Sequence, residues 1–495
     1  MRSETQELTR RARPGEILPP IAAGWLRRLA VLCLMLMVTA IASSATTFTT
    51  LLSFDGTNGA DPEYGPLVQG FDGNFYGTTY EGGASGYGTV FKISPGGTLT
   101  TLYNFCSQPY CTDGAAPWAG LVLASNGNFY GTTSQGGANG WGTVFKITPG
   151  GTLTTLYSFC SQTGCGDGVY PTFGLIQAAN GNFYGTTPSS AYFGIDGTVF
   201  EIAPTGTLTT LHTFNGGDGE SPGGPLVQAT NGNFYGTTGA GGAYGYGTVF
   251  EITAGGTLTT LHSFDGTDGS GPVGPLVQAT NGNFYGTTIQ GGATSCSYGC
   301  GTIFKMTPGG TLTTLHSFDG TDGSYLIAGL VQATNGEFYG TTEGGGANGD
   351  GTVFEITPAG ALTTLHSFEG PPDGYLPAAT LLQATNGKLY GTSIWGGAAC
   401  SGVGCGTVFS LSVGLGPLVE TTPASGKVGT KIAILGNNLT GSTGVTFNST
   451  AATFTVKSST EITTTVPSGA TTGYVAVTTA TGKILTSNVK FRVRP

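Results

Sequence analysis

Residues 276–288 read LVQATNGNFYGTT, and residues 301–318 of the same unit read GTIFKMTPGGTLTTLHSF. Asn281-Gly282 joins two short segments in which apolar and polar residues alternate. An Asn-Gly pair in this setting is the strongest short-range signal for a β-hairpin, because both turn residues need positive φ. The PGG stretch at 308–310 joins a second pair of segments in the same way. The unit therefore predicts four short antiparallel strands.

The same pattern recurs along most of the chain. The segment NFYGTT or a close variant starts seven times, at intervals of 50 to 54 residues: Asn74, Asn128, Asn182, Asn233, Asn283, Glu337 and Lys388. Four strands in a repeat of this length are typical of a β-propeller blade, in the size class of kelch repeats. The sequence predicts an all-β protein whose main domain, residues 46–413, is a seven-bladed β-propeller.

The two ends of the repeat region complement each other. A TLxxF strand at Thr50–Phe54 precedes the first complete unit, whereas the last unit ends near Leu411 with no such strand after it. Pairing of the N-terminal strand with the last sheet would close the ring and remove both edges. An open solenoid would need capping units, and the sequence shows none. We therefore expect the N-terminal strand to close the propeller.

The repeated residues also carry a family resemblance. The consensus GNFYGTT, followed by GYGTVFKI and GGTLTTLYSF, resembles the GloVer-type tandem repeat of exported bacterial surface proteins over roughly residues 47 to 413. The match is specific because seven copies agree at many positions. The resemblance implies a surface protein but carries over no activity.

A second domain is predicted after a linker at 414–416. From Pro417 the repeat stops, and Thr, Ser and Val dominate short segments separated by turn residues, a pattern typical of a small β-sandwich. Residues 417–495 resemble an IPT/TIG immunoglobulin-like domain through Pro423, Gly426, Gly429, Gly436, Val445, Phe447, Pro467, Gly473, Val477 and Phe491. In exported bacterial proteins this resemblance implies a spacer or adhesion module.

The N-terminus has the features of an export signal. A polar, Arg-bearing region ends at Arg28, a 14-residue apolar run spans 29–42, and small residues follow up to Ala45. This order predicts a secretory signal peptide over residues 1–45. The alternative is an uncleaved anchor, although 14 residues are short for a hydrocarbon core of about 30 Å. We expect an extracellular, cell-surface or periplasmic protein without a membrane span after cleavage.

Charge argues against one class of partner. The formal net charge is −10, and six of the arginines lie in the first 45 residues, so the rest of the chain is more acidic than the whole. Such a surface repels phosphate backbones, and we expect no nucleic-acid partner. The sequence gives no signal for an oligomeric state.

Eight of the nine cysteines fall into close pairs. In an exported protein such pairing predicts loop-closing disulfides, whereas a metal site would need another pair nearby in sequence. The predicted disulfides are Cys106–Cys111, Cys160–Cys165, Cys296–Cys300 and Cys400–Cys405.

The candidate binding surface is the end of the propeller that carries the cysteine loops. The loops from second to third strand and the crossovers between blades meet at this end, which we call the loop face, and they hold aromatic residues that vary among the copies. Disulfide-closed loops with aromatic side chains on a rigid scaffold suit binding of a neutral glycan or a peptide chain. The alternative is that the aromatic rings only pack over the ends of the blades. The predicted ligand-binding residues are Trp118, Trp141, Tyr170, Tyr192, Tyr244, Tyr298, Tyr325 and Trp395.

Three other repeated positions have a less specific meaning. FDGTDG places Asp265, Asp268, Asp319 and Asp322 in short acidic turns, for which calcium binding is possible although Asp-Gly is an ordinary turn. We therefore expect no cofactor, with calcium at these turns as the alternative. The four histidines of TLHxF are expected at strand surfaces, too dispersed for one metal. The glutamines Gln69, Gln177, Gln228, Gln278, Gln332 and Gln383 are expected to form a structural ring of satisfied amides.

No catalytic motif is visible. G-x-S-x-G, H-E-x-x-H and a Walker loop are absent from the sequence, although a carboxylate pair for glycoside chemistry could lie among Glu63, Glu81, Asp196, Glu220, Glu343 and Asp350. We expect a non-catalytic binding or adhesion protein for an extracellular glycan or surface protein. The alternatives are a glycan-cleaving enzyme, hydrolase or lyase, and a structural envelope module.

Overall fold

The computed structural model describes residues 46–188, 194–292, 296–397, 400 and 404–494. The predicted signal peptide and Tyr192 lie outside these residues. Apart from two 3-10 turns, Pro109–Cys111 and Thr163–Cys165, the regular structure of the described residues is β. None of their helical segments is long and apolar enough to cross a bilayer. The all-β fold class is confirmed.

The described residues of the repeat region form 28 strands. In chain order they are β1 (Thr47–Ser53), β2 (Val68–Gln69), β3 (Phe75–Thr79), β4 (Thr89–Ile93), β5 (Leu99–Asn104), β6 (Val122–Leu123), β7 (Phe129–Thr133), β8 (Thr143–Ile147), β9 (Leu153–Ser158), β10 (Ile176–Gln177), β11 (Phe183–Thr187), β12 (Thr198–Ile202), β13 (Leu208–Thr213), β14 (Glu220–Gln228), β15 (Phe234–Ala240), β16 (Thr248–Ile252), β17 (Leu258–Ser263), β18 (Val277–Gln278), β19 (Phe284–Thr288), β20 (Thr302–Met306), β21 (Leu312–Ser317), β22 (Val331–Gln332), β23 (Phe338–Thr342), β24 (Thr352–Ile356), β25 (Leu362–Ser367), β26 (Leu382–Gln383), β27 (Leu389–Ser393) and β28 (Thr407–Ser412).

These strands form repeated four-stranded antiparallel sheets, the blades of a β-propeller. The described residues of the repeats give seven such sheets, of which six contain four consecutive strands, for example β18-β19-β20-β21. The second and third strands pair with Gly286 opposite Phe304. Because this glycine has no side chain, the buried Phe304 ring can lie across the centre of the sheet.

Neighbouring sheets are held together by aromatic stacking. The tyrosine of FYGTT is at most 1 % exposed in every repeat and lies against the next sheet. The Tyr285 ring stacks on Phe338 with centroids 4.1 Å apart, and Tyr184 stacks on Phe234 at 4.0 Å. Successive Phe and Tyr residues point to opposite faces of a strand, so six of the sheets present one ring to each neighbour, while the last has Leu389 in place of the phenylalanine.

The ring closes as the sequence predicts. Strand β1 pairs antiparallel with β28 to complete the sheet β1-β28-β27-β26. Phe48 of β1 packs on Phe409 at 5.2 Å between centroids. One apolar cluster contains Phe75 of the first sheet and Tyr390 of the last, whose rings are 4.1 Å apart.

The predicted row of satisfied amides is present, with one gap in the second repeat, where Leu123 replaces the glutamine. Each inner-strand glutamine accepts a hydrogen bond at Oε1 from a backbone N–H in the first turn of the preceding repeat, at 2.8 to 3.1 Å. The hydrogen bond from Thr385 N to Gln69 Oε1 joins the seventh repeat to the first in the same way. We call the end of the propeller formed by these turns the hairpin face.

The C-terminal part forms a two-sheet sandwich. Its core contains Ile434, Val445, Phe447, Ile462 and Val477. One sheet has the order β29-β31-β35-β34, the other β33-β32-β36-β37, and β30 pairs with β38. The strands are β29 (Glu420–Thr422), β30 (Ser425–Gly426), β31 (Lys431–Leu435), β32 (Gly444–Phe447), β33 (Thr450–Ala451), β34 (Phe454–Val456), β35 (Glu461–Thr465), β36 (Val475–Thr478), β37 (Ile484–Thr486) and β38 (Arg492–Val493). The IPT/TIG assignment and the domain boundaries stay predictions.

Candidate functional site

The crossovers between sheets bend at a repeated backbone position. Asp61, Tyr170 and Tyr325 have φ of 55°, 52° and 58° at equivalent places, a conformation that costs free energy for residues other than glycine. Each crossover then runs past the propeller axis. The cavity at this axis, lined by crossovers of all seven repeats, measures only about 40 Å³. A ligand larger than a few waters must therefore lie on the surface around it.

Four carboxylates gather beside this axis at the loop face. Asp61 and Glu63 belong to the crossover into the first repeat, Glu81 follows β3, and Glu343 follows β23 of the sixth repeat. Burial, and to a smaller extent the charge of Glu81, raises the pKa of Asp61 to about 6. Burial together with the charges of Asp61, Glu81 and Glu343 raises the pKa of Glu63 to about 7. Burial also raises the pKa of Glu343.

Three aromatic rings lie next to these acids. Trp118 stacks on Tyr64 with centroids 5.8 Å apart and an interplanar angle of 23°, and it contacts Tyr80 at 5.1 Å. Among the described residues, Trp118 Nε1 and Glu63 Oε2 are buried atoms without a hydrogen-bond partner. We call the group Asp61, Glu63, Tyr64, Tyr80, Glu81, Trp118 and Glu343 the mouth cluster. It combines an apolar platform with an unused donor and an unused acceptor.

The raised pKa of Glu63 makes a prediction about pH and stability. In the unfolded chain the carboxyl group ionises near its ordinary pKa of 4.5, whereas in the folded protein it does so near 7. Below pH 4.5 Glu63 is protonated in both states and does not destabilise the folded protein. As the pH rises from 4.5 to about 7, the free energy of unfolding falls, because the unfolded chain releases this proton first. We expect Glu63→Gln to raise the free energy of unfolding by about 1 kcal/mol at about pH 8, allowing for solvent screening, and to change little at about pH 4. Thermal melts at both pH values measure the difference, and an equal shift at both would contradict the assignment.

The predicted binding aromatics divide into different environments. Trp118 belongs to the mouth cluster. Trp141 contacts Tyr170 edge-on at 5.0 Å and packs against the core between the second and third sheets. Trp395 contacts Tyr375 at 5.8 Å. Tyr244, Tyr298 and Tyr325 are 64, 76 and 42 % exposed. Some of these rings are therefore exposed to solvent, whereas others pack against neighbouring side chains. Ligand binding by any of the predicted aromatic residues stays a prediction.

The four predicted disulfides are confirmed: Cys106–Cys111, Cys160–Cys165, Cys296–Cys300 and Cys400–Cys405. The first of them closes a loop that is organised around the buried Asp113. The Asp113 carboxylate accepts hydrogen bonds from Tyr103 Oη at 2.8 Å and from the Ser107 backbone N at 3.0 Å. Disulfides are consistent with an extracellular location.

The acidic turns use their carboxylates internally. Asp265 Oδ1 accepts hydrogen bonds from the backbone N and the hydroxyl of Thr267 at 2.8 and 2.7 Å, and the pKa of Asp265 is lowered mainly by that hydroxyl. Asp268 accepts at Oδ1 from Asp265 N and pairs through Oδ2 with His262 Nε2 at 2.7 Å. Asp319 and Asp322 repeat this arrangement with His316. The described residues include no group of three or more His, Cys, Asp or Glu suited to a metal ion. Calcium binding at these turns stays a prediction.

Sequence reasoning missed two features of these sites. It placed the histidines at strand surfaces but not beside aspartates, although the six-residue spacing from His262 to Asp268 recurs in other repeats. It also passed over Asp61, Tyr64 and Tyr80. The available signal was departure from the repeat, because Tyr80 stands where other copies have Ser134, Pro188, Gly239, Ile289, Glu343 and Ile394.

A family comparison agrees with the repeat. The family model of the Gloeobacter/Verrucomicrobia repeat matches residues 106–297 and 293–488, which is more than half of the chain. The chain belongs to this family. The second match extends past the propeller strands of this Gloeobacter/Verrucomicrobia repeat protein into the C-terminal sandwich. No curated protein matches it.

Solved structures resemble the family member in fold only. A fungal alcohol oxidase of the AA5 family, in complex with copper, is 13 % identical with a TM-score of 0.49, covering 91 % of this chain and 100 % of that chain. PorZ, a surface component of the type-IX secretion system of Porphyromonas gingivalis, is 14 % identical with a TM-score of 0.46, covering 90 % and 61 %. A gluconolactonase from Xanthomonas campestris is 12 % identical with a TM-score of 0.36, covering 76 % and 93 %. At these values the likenesses carry no argument about activity or ligand. The repeat family and the propeller fold fit a surface propeller protein.

Proposed function

We propose that this protein is an exported, non-catalytic binding protein that holds neutral extracellular glycans at the mouth cluster of the loop face. The observation that carries the proposal is the pair of buried, unpartnered polar atoms, Trp118 Nε1 and Glu63 Oε2, beside a stacked aromatic platform. Export would use the predicted signal peptide, and a surface protein is the alternative ligand.

The shape of the site favours a polymer that lies across the surface. The axial cavity of about 40 Å³ is too small for a sugar ring, so a glycan must bind outside it, on the surface. Trp118 and Tyr64 offer a nearly parallel pair of rings at its rim. Flat aromatic rings bury the apolar faces of sugars, while hydroxyl groups reach the polar atoms around them.

The polar atoms and the charge define the ligand further. A sugar hydroxyl donates and accepts hydrogen bonds, and therefore suits both the indole N–H of Trp118 and the carboxyl oxygen of Glu63. Three further acids stand nearby, and the chain has a formal net charge of −10. An anionic glycan would be repelled, so a neutral glycan is the better ligand.

A second candidate function rests on the raised pKa values in the same cluster. Glu63, with a pKa of about 7, holds a proton near neutral pH, and Asp61 lies close enough to influence it. A protonated acid beside further carboxylates is the arrangement that glycan-cleaving enzymes use for general acid catalysis. Release of reducing ends would therefore favour this candidate over simple binding.

The test uses residues 46–495 produced under oxidising conditions and an array of soluble β-glucan, xylan, α-glucan and polygalacturonate. We expect retention of a neutral polysaccharide without new reducing ends. Trp118→Ala is expected to lower the affinity at least tenfold, a loss of about 1.4 kcal/mol. The matched control is Tyr474→Ala, an exposed aromatic of the C-terminal sandwich that belongs to no predicted site, which should stay within twofold of wild type. New reducing ends would favour a glycan-cleaving enzyme over a binding protein. If no polysaccharide is retained or cleaved, protein adhesion or a structural role would be favoured.

A further inference from the structure

A large cavity of the described residues lies on the hairpin face, away from the mouth cluster. It is a cleft of about 1,040 Å³ between the first turns of repeats one and two and the sheet β29-β31-β35-β34 of the C-terminal sandwich. Its volume is at the upper end of the range for ligand sites, which often occur between domains. We call it the hairpin-face cleft.

The sandwich is fixed to the turns around this cleft. Thr460 Oγ1 donates to Phe71 O at 2.7 Å in the first repeat, and Leu418 N donates to Thr385 O at 3.1 Å in the last. Arg494 Nη2 donates to Ala179 O at 2.6 Å in the third repeat. These bonds hold the sandwich on both sides of the second repeat, where Ser125–Phe129 lines the cleft.

The repeat pattern changes at the same place. Phe71 stands at a turn position that holds Ser125, Ala179, Thr230, Thr280, Thr334 and Thr385 in the other copies. Leu123 stands where the other repeats carry the glutamine of the amide ring, so that ring is interrupted between the first and second repeats among the described residues. The first departure lines the cleft and places an aromatic ring where the other copies have small side chains. The second lies two residues before Ser125, which also lines the cleft, and replaces a structural amide by an apolar side chain.

The walls of the cleft are rich in uncharged hydrogen-bonding groups. Thr455 lies opposite Thr463 in the register of β34 and β35, on the outward side of a sheet whose Ile462 points into the core. Thr465 continues this row of hydroxyls, and Asn128 lines the facing wall near the half-buried Phe71.

The charges around the cleft balance. Lys431 and Lys457 line it together with Asp72 and Glu461, two cations and two anions. An ion of either sign gains little from such a lining. Hydroxyls, amides and a half-buried aromatic side chain instead suit a ligand that is neutral, hydroxyl-rich and partly apolar.

We propose that the hairpin-face cleft is a second glycan-binding site, which takes a short segment of a neutral oligosaccharide. Phe71 packs on the sugar faces, and the hydroxyls of Thr455, Thr463 and Thr465 bind the sugar hydroxyls. The site is separate from the mouth cluster and does not rest on the function proposed for it. With both sites occupied, one molecule bridges two glycan chains and gains avidity for a surface that carries many of them.

The experiment locates binding by hydrogen–deuterium exchange and measures affinity by calorimetry, on residues 46–495 with cellohexaose and laminarihexaose. We expect at least one hexasaccharide to protect segments 71–74 and 453–465. Phe71→Ser introduces the residue that the second repeat carries at this turn, and it should lower cleft affinity at least tenfold. Thr463→Arg, which fills the cleft from the opposite wall, should do the same and decides the question if Phe71→Ser fails to fold.

Two controls separate this proposal from the one for the loop face. Thr280→Ala alters the same turn position in the fifth repeat, where the side chain is exposed, and should leave cleft binding unchanged. Trp118→Ala should also leave it unchanged while removing binding at the mouth cluster. Absence of cleft protection with both hexasaccharides, loss of all binding in Trp118→Ala, or unchanged affinity in folded cleft variants would overturn the proposal.

Discussion

Removal of residues 46–53 is expected to lower the free energy of unfolding by about 4 kcal/mol, because three partly buried apolar side chains each contribute somewhat less than the roughly 2 kcal/mol of a fully buried one. Strand β1 is the outer strand of the last sheet and pairs with β28 from Thr47 to Ser53. Its Phe48 packs on Phe368 and Phe409, and Leu51 packs against the cluster that joins the last sheet to the first. Without β1, the backbone groups of β28 form an open edge that can pair with another molecule.

Two measurements follow this truncation. Thermal unfolding should shift to lower temperature, and size-exclusion chromatography should show aggregates or oligomers of the truncated chain. Thr49→Ala is the matched control, because Thr49 is an exposed residue of the same strand. A truncated protein that remains monomeric with an unchanged melting temperature would contradict closure by β1.

Gly286→Ala is expected to destabilise the propeller by about 2 kcal/mol, in the range of overpacked cores. A Cβ atom at this position would lie 2.5 Å from Phe304 Cζ and 2.8 Å from Leu276 Cδ2. Phe304 is fully buried between sheets and cannot move away without disturbing its neighbours.

The control for this substitution lies in the same repeat. Gly309 has open space around a new Cβ, whose nearest neighbour is Thr307 Oγ1 at 4.0 Å. Gly309→Ala should therefore change stability by no more than about 0.5 kcal/mol. Urea unfolding of both variants measures the difference. Equal effects would show that the contact with Phe304 does not restrict the size of the side chain at position 286.

Much of the fold was predictable because its determinants are local. The hairpin at Asn281-Gly282, the strand pattern of GTIFKM and the disulfide Cys106–Cys111 each depend on residues close together in sequence. Repetition of one pattern made each prediction stronger, and the unpaired strand at each end indicated how the ring closes. The glutamine ring was predictable for the same reason, since one buried amide per repeat needs one partner per repeat.

The candidate sites were predictable only in part. Trp118 was selected as a loop aromatic, and Glu63, Glu81 and Glu343 were named among loop acids, but nothing in the sequence joins them. The hairpin-face cleft was not predicted, because it needs the sandwich to dock on particular turns. Departures from the repeat, such as Phe71, Leu123 and Tyr80, were the signal that sequence reasoning left unused.

The sequence by itself determined the strands, their turns, the repeated sheets and the cysteine pairs, because hydrogen bonding and side-chain alternation act over a few residues. Only the tertiary structure decided that Glu63 meets Glu343, that Trp118 lies on Tyr64, and that the sandwich covers the hairpin face beside Phe71. Such contacts depend on the rotation between successive sheets and on the kinked crossovers, summed around a closed ring. No local sequence pattern specifies these long-range positions, and both proposed binding sites depend on them.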